Sequence, residues 1–254
     1  MRTPFELQND FSVAILGLSK FFREDAAVTG QTMQIGSSPC RIYGEAHAEY
    51  LLLQMTGEHE VQSIDSEVVA IAQSAHHFLF AAIPVESWND ALSPWEAPAV
   101  WGKQGFGGKA ADTLCVLTEQ VIPTLKQQFD LPENVKIILG GYSLAGLFSL
   151  WASTQTDLFY GAAAASPSVW FPEWMEFEQQ RPIQTQRVYL SLGDKEEHTK
   201  NAIMAAVGNN IRTLHSRLIE RGADCTLEWN SGGHFKDADL RTAKAFRRVM
   251  EESR

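Results

Sequence analysis

Short apolar, β-branched runs alternate along this chain with longer stretches whose apolar positions recur every three or four residues. That alternation is the pattern of parallel strands joined by crossover helices, and it predicts an α/β architecture. Strand-like runs fall at residues 50–55, 78–83, 136–139, 160–165, 187–192 and 226–229, the middle ones apolar enough for strands buried on both faces. Residues 61–75 carry Ile64, Val68 and Ile71 on one helical stripe, and 110–129 carry Leu114, Leu117, Val121 and Leu125. Pro123 falls inside the second stripe, so a kink or break is expected there. Residues 144–154, 202–221 and 239–251 complete the helical set, with Gly222 as a C-terminal stop. Weaker strand candidates lie at 32–35 and 41–43. Residues 84–108, rich in Trp, Pro and Gly and without clear period, predict an extended loop at the carboxyl edge of a central strand, where ligands bind in parallel sheets. No repeat or linker interrupts the pattern, so one domain over 1–254 is expected, with a mostly parallel central sheet flanked by helices.

Composition narrows the class. With 44% hydrophobic and 20% charged residues the chain of 254 residues has the make-up of a folded globular protein. A net charge of −10 disfavours nucleic acid and anionic membrane as partners, because phosphates are bound through clustered Lys and Arg. Cys40, Cys115 and Cys225 are an odd set without Cys-x-x-Cys spacing, which suits a reducing cytoplasm. Residues 1–20 show no small-residue cleavage pattern, and no apolar stretch approaches the ~20 residues a membrane-spanning helix needs, so a soluble protein is expected. Adjacent His76 and His77 have poor metal-ligand spacing, and His59-Glu60 lacks a second histidine four positions after the first. The glycine-rich run 102–109 lacks the Ser or Thr after Lys109 that a phosphate loop requires. No metal is expected, and no feature specifies an oligomeric state.

The most informative run is Lys136-Ile-Ile-Leu-Gly-Gly-Tyr-Ser-Leu-Ala-Gly-Leu-Phe-Ser-Leu-Trp151. A buried strand stops at Gly140–Gly141, Ser143 follows, and an apolar helix begins at once. A serine on such a turn projects its hydroxyl from the sheet edge, while the next N–H and the helix N-terminus face a developing oxyanion. Strand and helix cross closely there, so the positions two before and two after the serine must be small, and Gly141 and Ala145 are. A bland alternative is Ser143 as an ordinary helix N-cap.

A serine nucleophile of this kind needs a base, and the chain order is Ser, then an acid, then His. Of the histidines after Ser143, His198 sits in an acidic loop and His215 inside a helix, whereas His234 follows the last strand and the turn Asn230-Ser-Gly-Gly, where the base should hang. The acid belongs after the preceding strand, where Asp194, Glu196 and Glu197 all stand; Glu196 is preferred, and the residues alone leave the other two open. Leu144 offers one oxyanion N–H, and Val85 or Glu86, after the strand at 78–83, is the candidate for the second. Trp88, Trp95, Trp101 and Tyr142 are candidate substrate contacts.

These stretches carry a family resemblance. Gly-Gly-Tyr-Ser-Leu-Ala-Gly around Ser143, the strand and Gly-x-x-Glu ending at Glu196, and Gly-Gly-His at His234 resemble the esterase D-like group of α/β-hydrolases, which includes enterochelin-type esterases, S-formylglutathione hydrolases and feruloyl esterases. The Gly-x-x-acid pattern of that group adds to the preference for Glu196. The resemblance implies the α/β-hydrolase fold, no cofactor, and a serine carboxylesterase that cleaves a small soluble ester or thioester through an acyl-enzyme on Ser143. Ala145 stands where the group commonly has a second Gly, and no large cap insertion is evident, which points to an open site rather than a lipase. Acyl transfer or peptide cleavage by the same residues, or a binding protein on a hydrolase scaffold, are the competing functions.

Overall fold

The computed structural model describes residues 30–251 apart from Glu58, His59 and Val61. The reading of residues 1–20, that of His59, and the first residue of the stripe at 61–75 lie outside the described residues.

Among the described residues eight strands form one sheet: β1 Gln31–Ile35, β2 Ser38–Gly44, β3 Tyr50–Thr56, β4 Phe78–Pro84, β5 Lys136–Tyr142, β6 Gly161–Ala165, β7 Arg187–Gly193 and β8 Asp224–Asn230. Their order across the sheet is β1-β2-β4-β3-β5-β6-β7-β8. β1 and β2 form an antiparallel hairpin, β2 is antiparallel to β4, and every other neighbouring pair is parallel. The two weak candidates near the start of the described chain are therefore real strands at the sheet's antiparallel border.

Successive side chains of a strand point to opposite faces, so an apolar run such as Leu51-Leu52-Leu53 requires cover on both. Leu52, Phe80, Ile138, Ala163 and Tyr189 pack under α1 (Ile64–Ala72) and α9 (Ala238–Met250). Leu51, Leu53, Leu79, Leu139, Ala162 and Leu190 pack under α4 (Ile122–Gln128), α5 (Leu144–Gln155) and α8 (Val207–Glu220). The four consecutive alanines of β6 let α5 and α9 approach the sheet centre from opposite sides.

The helix over 110–129 is interrupted as Pro123 requires. It begins as α3 (Ala110–Val116), widens into a π turn over Leu117–Val121, and resumes as α4 with Pro123 in its first turn. Pro123 has no N–H to give to the carbonyl four residues back and its ring would collide with it, and the wider turn relieves both problems. Gly222 ends α8 at φ +83°, the left-handed conformation of a C-terminal stop.

Three expectations need correction. Residues 84–108 are not a bare loop: they contain α2 (Trp88–Leu92) and a two-residue antiparallel ribbon, Glu96–Ala97 with Phe106–Gly107. The helix over 202–221 is two, α7 (Ala202–Ala205) and α8, with Asn201 capping the first by accepting from the N–H groups of Ile203 and Met204. α6 (Trp174–Gln180) was not expected at all. The longest excursion from the sheet, between β4 and β5, returns its helices to the core through Leu92, Leu117, Val121 and Leu125. Among the described residues no helix is long and apolar enough to cross a membrane.

Candidate active site

Ser143 stands between the last residue of β5 and the first of α5, with φ 56° and ψ −117°. A non-glycine residue held in such a region costs on the order of 1–3 kcal/mol and persists only where the surroundings over-determine it. Here they do: the Ser143 N–H donates to the Ala165 carbonyl (3.1 Å), and the Ser143 carbonyl accepts from Leu147 N–H (3.1 Å) and Ser168 N–H (3.0 Å). Gly141 takes φ +152°, and a Cβ on it would lie 2.6 Å from Cβ of Ala145, so the crossing of β5 and α5 admits no larger residue there.

His234 hangs in the loop after β8. Its Nε2 lies 3.0 Å from Oγ of Ser143, and its Nδ1 lies 2.6 Å from Oε2 of Glu196. Glu196 opens a single 3₁₀ turn after β7, and its side chain is only 6% exposed. The second carboxylate oxygen, Oε1, accepts from Gly193 N–H (2.7 Å), Ser166 Oγ (2.8 Å) and Arg241 (3.4 Å). The Gly-x-x-Glu spacing thus has a physical meaning: it closes a turn in which the glycine N–H holds the carboxylate. A carboxylate so engaged cannot swing, and only one oxygen is left to face the imidazole.

The other two carboxylates of that loop have other partners. Asp194 Oδ1 accepts the N–H of Gly232 (2.7 Å), which ties the loop after β7 to the one carrying His234. Glu197 forms a two-pronged pair with Arg212 of α8 (2.8 and 2.9 Å), which holds its carboxyl below the ordinary range. His198 is exposed and His215 half-buried on α8.

The remaining candidates divide. Leu144 is the first residue of α5, so its N–H is among those a helix start leaves without an intrahelical partner. Val85 and Glu86 follow β4, which the sheet separates from β5 by β3, and the Val85 N–H is spent on the Thr56 carbonyl (3.0 Å). Tyr142 is not a substrate wall: its ring is 6% exposed, and its hydroxyl donates to the His234 carbonyl (2.7 Å). Burial pushes that phenol above its ordinary range. Trp95 pins its segment, donating from Nε1 to the Pro172 carbonyl (3.1 Å) against Phe171 and Phe177, and Trp88 packs half-buried on the core. Trp101 is 55% exposed and meets Trp170 edge-on at 5.9 Å.

Two contributors escape a reading of the sequence. Ser168, 1% exposed, places its Oγ 3.3 Å from that of Ser143. The available signal was position: Ser166-Pro-Ser168 follows a buried strand at the sheet's carboxyl edge. Arg241 is the second, and its signal was a charged residue on the apolar stripe of α9.

The strand order, with parallel strands covered on both faces, defines an α/β-hydrolase. The chain belongs to the Putative esterase family, whose model matches residues 66–237. It is 27% identical over 158 residues to YbbA of Bacillus subtilis, an overlap that spans 59% of this chain and 62% of that relative, short of two thirds of its length. Among solved structures it is similar to an IroE-like serine hydrolase from Shewanella oneidensis, with a TM-score of 0.70 at 15% identity over 86% of this chain and 79% of that one. The siderophore hydrolase EstA from Aspergillus nidulans gives 0.61 at 17% identity over 88% and 93% of the two chains. The enterobactin esterase FES from Shigella flexneri gives 0.62 at 16% over 87% and 58%. At such identities the likeness is one of fold.

Proposed function

We propose that this chain is a serine carboxylesterase acting on a small ester or thioester through an acyl-enzyme on Ser143. The observation that carries the reading is the unbroken hydrogen-bonded chain from Ser143 through His234 to Glu196. His234 takes the proton of Ser143 as its Oγ attacks the ester carbonyl, and Glu196 stabilises the resulting imidazolium and fixes the tautomer that leaves Nε2 free to accept. The Leu144 N–H and the start of α5 face the oxyanion. As the tetrahedral adduct collapses, His234 returns the proton to the departing alcohol or thiol; water then repeats the sequence to release the acid. A cytoplasmic setting is part of the proposal, supported by the unpaired Cys40, Cys115 and Cys225.

A fluorophosphonate probe and a panel of p-nitrophenyl and thioesters of graded acyl length test the reading. The panel includes enterobactin, in whose presence the Shigella flexneri esterase was crystallised. Wild-type protein is expected to label and turn over at least one ester, and Ser143→Ala to do neither. Labelling that survives in Ser143→Ala would refute the nucleophile.

A further inference from the structure

We propose that Arg241 is a positioning residue that keeps the His234 loop and the Glu196 carboxylate in register with Ser143; the inference rests on the reading of those three residues given above. Arg241 lies on the buried stripe of α9 with Ala245 and Val249, and its side chain is 4% exposed. A Leu or Met would satisfy the packing of that face without the penalty of burying a charge. What the guanidinium supplies is a planar fork with several donors in fixed geometry.

Its partners come from three separate segments. Nη1 donates to the Tyr142 hydroxyl (3.1 Å) and to Glu196 Oε1 (3.4 Å), and Nη2 donates to the Ser231 carbonyl (3.1 Å). The Tyr142 hydroxyl, having accepted from Arg241, donates to the His234 carbonyl (2.7 Å). One cation thus braces the residue before Ser143, the acid itself, and both ends of the Ser231–His234 turn. It touches none of the atoms that would react. The oxygen of Glu196 that it contacts is the one turned away from His234, so it holds the carboxylate without competing for the imidazole.

Without the brace, substrate still finds its place but the proton path is misaligned, and displacements of about 1 Å can cost roughly 100-fold in rate. Arg241→Ala is therefore expected to lower kcat by about 100-fold with KM within about threefold of wild type. Added guanidinium at tens of millimolar should refill the vacated space and restore kcat saturably in that variant while leaving wild type unimproved. A purely structural loss would not respond so, since guanidinium is a denaturant. Tyr142→Phe, which removes only the relaying hydroxyl, should lower kcat by about tenfold at unchanged KM, an amount that matches the loss of one hydrogen bond. Wild-type turnover in Arg241→Ala, or a loss that guanidinium leaves untouched, overturns the proposal. Should Arg241→Ala fail to fold, Arg241→Lys and Tyr142→Phe decide: reduced kcat at constant KM upholds it, and wild-type values in both overturn it. Ser143→Ala in the same series separates the two readings, because activity or labelling there refutes the nucleophile whatever Arg241 does.

Discussion

Three carboxylates crowd the loop after β7, and their partners set how much each should matter. Glu196→Ala takes away the acceptor for His234 Nδ1 and is expected to lower kcat by about 1,000-fold or more, as losing the acid of such an arrangement does. Asp194→Ala frees the Gly232 N–H and should cost about 1–3 kcal/mol of stability with a smaller effect on turnover. Glu197→Ala loses a surface pair with Arg212 and should stay within about twofold in kcat and 1 kcal/mol in stability. Steady-state kinetics and thermal melts on the three variants separate them. A fourth acid belongs to stability alone. Glu67 of α1 is buried, with Gln54 donating to it, and burial, reinforced by Glu60 and Asp239, holds its carboxyl well above the ordinary 4.5. A raised folded-state value means that the folded chain keeps a proton the unfolded chain would release. The stability associated with it is complete below pH 4.5 and is lost as pH rises toward the raised value. Glu67→Gln should therefore melt with wild type near pH 4 and about 2–4 °C above it at pH 8, a gap that thermal denaturation across that range measures.

At the scale of elements, the C-terminal stop of α8 offers a clean substitution. A Cβ on Gly222 meets nothing within 4 Å, so Gly222→Ala pays only for its φ of +83° and should cost about 1–2 kcal/mol in a urea titration. That stop is legible because glycine after an apolar stripe has few other uses. The strands β3 to β7 are legible for a similar reason: burial on both faces leaves apolar runs. α2 is not, because five residues carry no period of their own, and it is held by contacts from outside, Lys109 N–H to the Asp90 carbonyl and Thr113 Oγ1 to the Ala91 carbonyl. α6 hides likewise, being seven residues long and starting from Glu173 in a left-handed conformation. Within the site, sequence singles out Ser143 and His234, since each sits just beyond a recognisable strand, and prefers Glu196 over Asp194 and Glu197 without excluding them; the structure brings Ser143, His234 and Glu196 together. The second oxyanion donor is not legible because it depends on which strand lies beside β5, and lateral order in a sheet leaves no trace in local pattern. Arg241 is missed because a charged residue in a helix reads as solvated until its partners are known.

Across the whole molecule, the groups proposed to react gather at one edge of the sheet, and the helices of the excursion between β4 and β5 pack on the core. Turnover of p-nitrophenyl esters should accordingly be highest for short acyl chains, with no jump in rate as a longer ester passes its solubility limit. A rate that rises sharply at that limit would contradict the open site. The lateral position of β8 has a different consequence. Among the described residues it is a border strand, with β7 as its neighbour, while Ser143 springs from β5 within the sheet. Borders open more cheaply than centres. In rising urea the imidazole should drift from the serine while most of the backbone still holds, so esterase activity should vanish at a lower concentration than the far-ultraviolet signal, a molecule silenced before it is unmade.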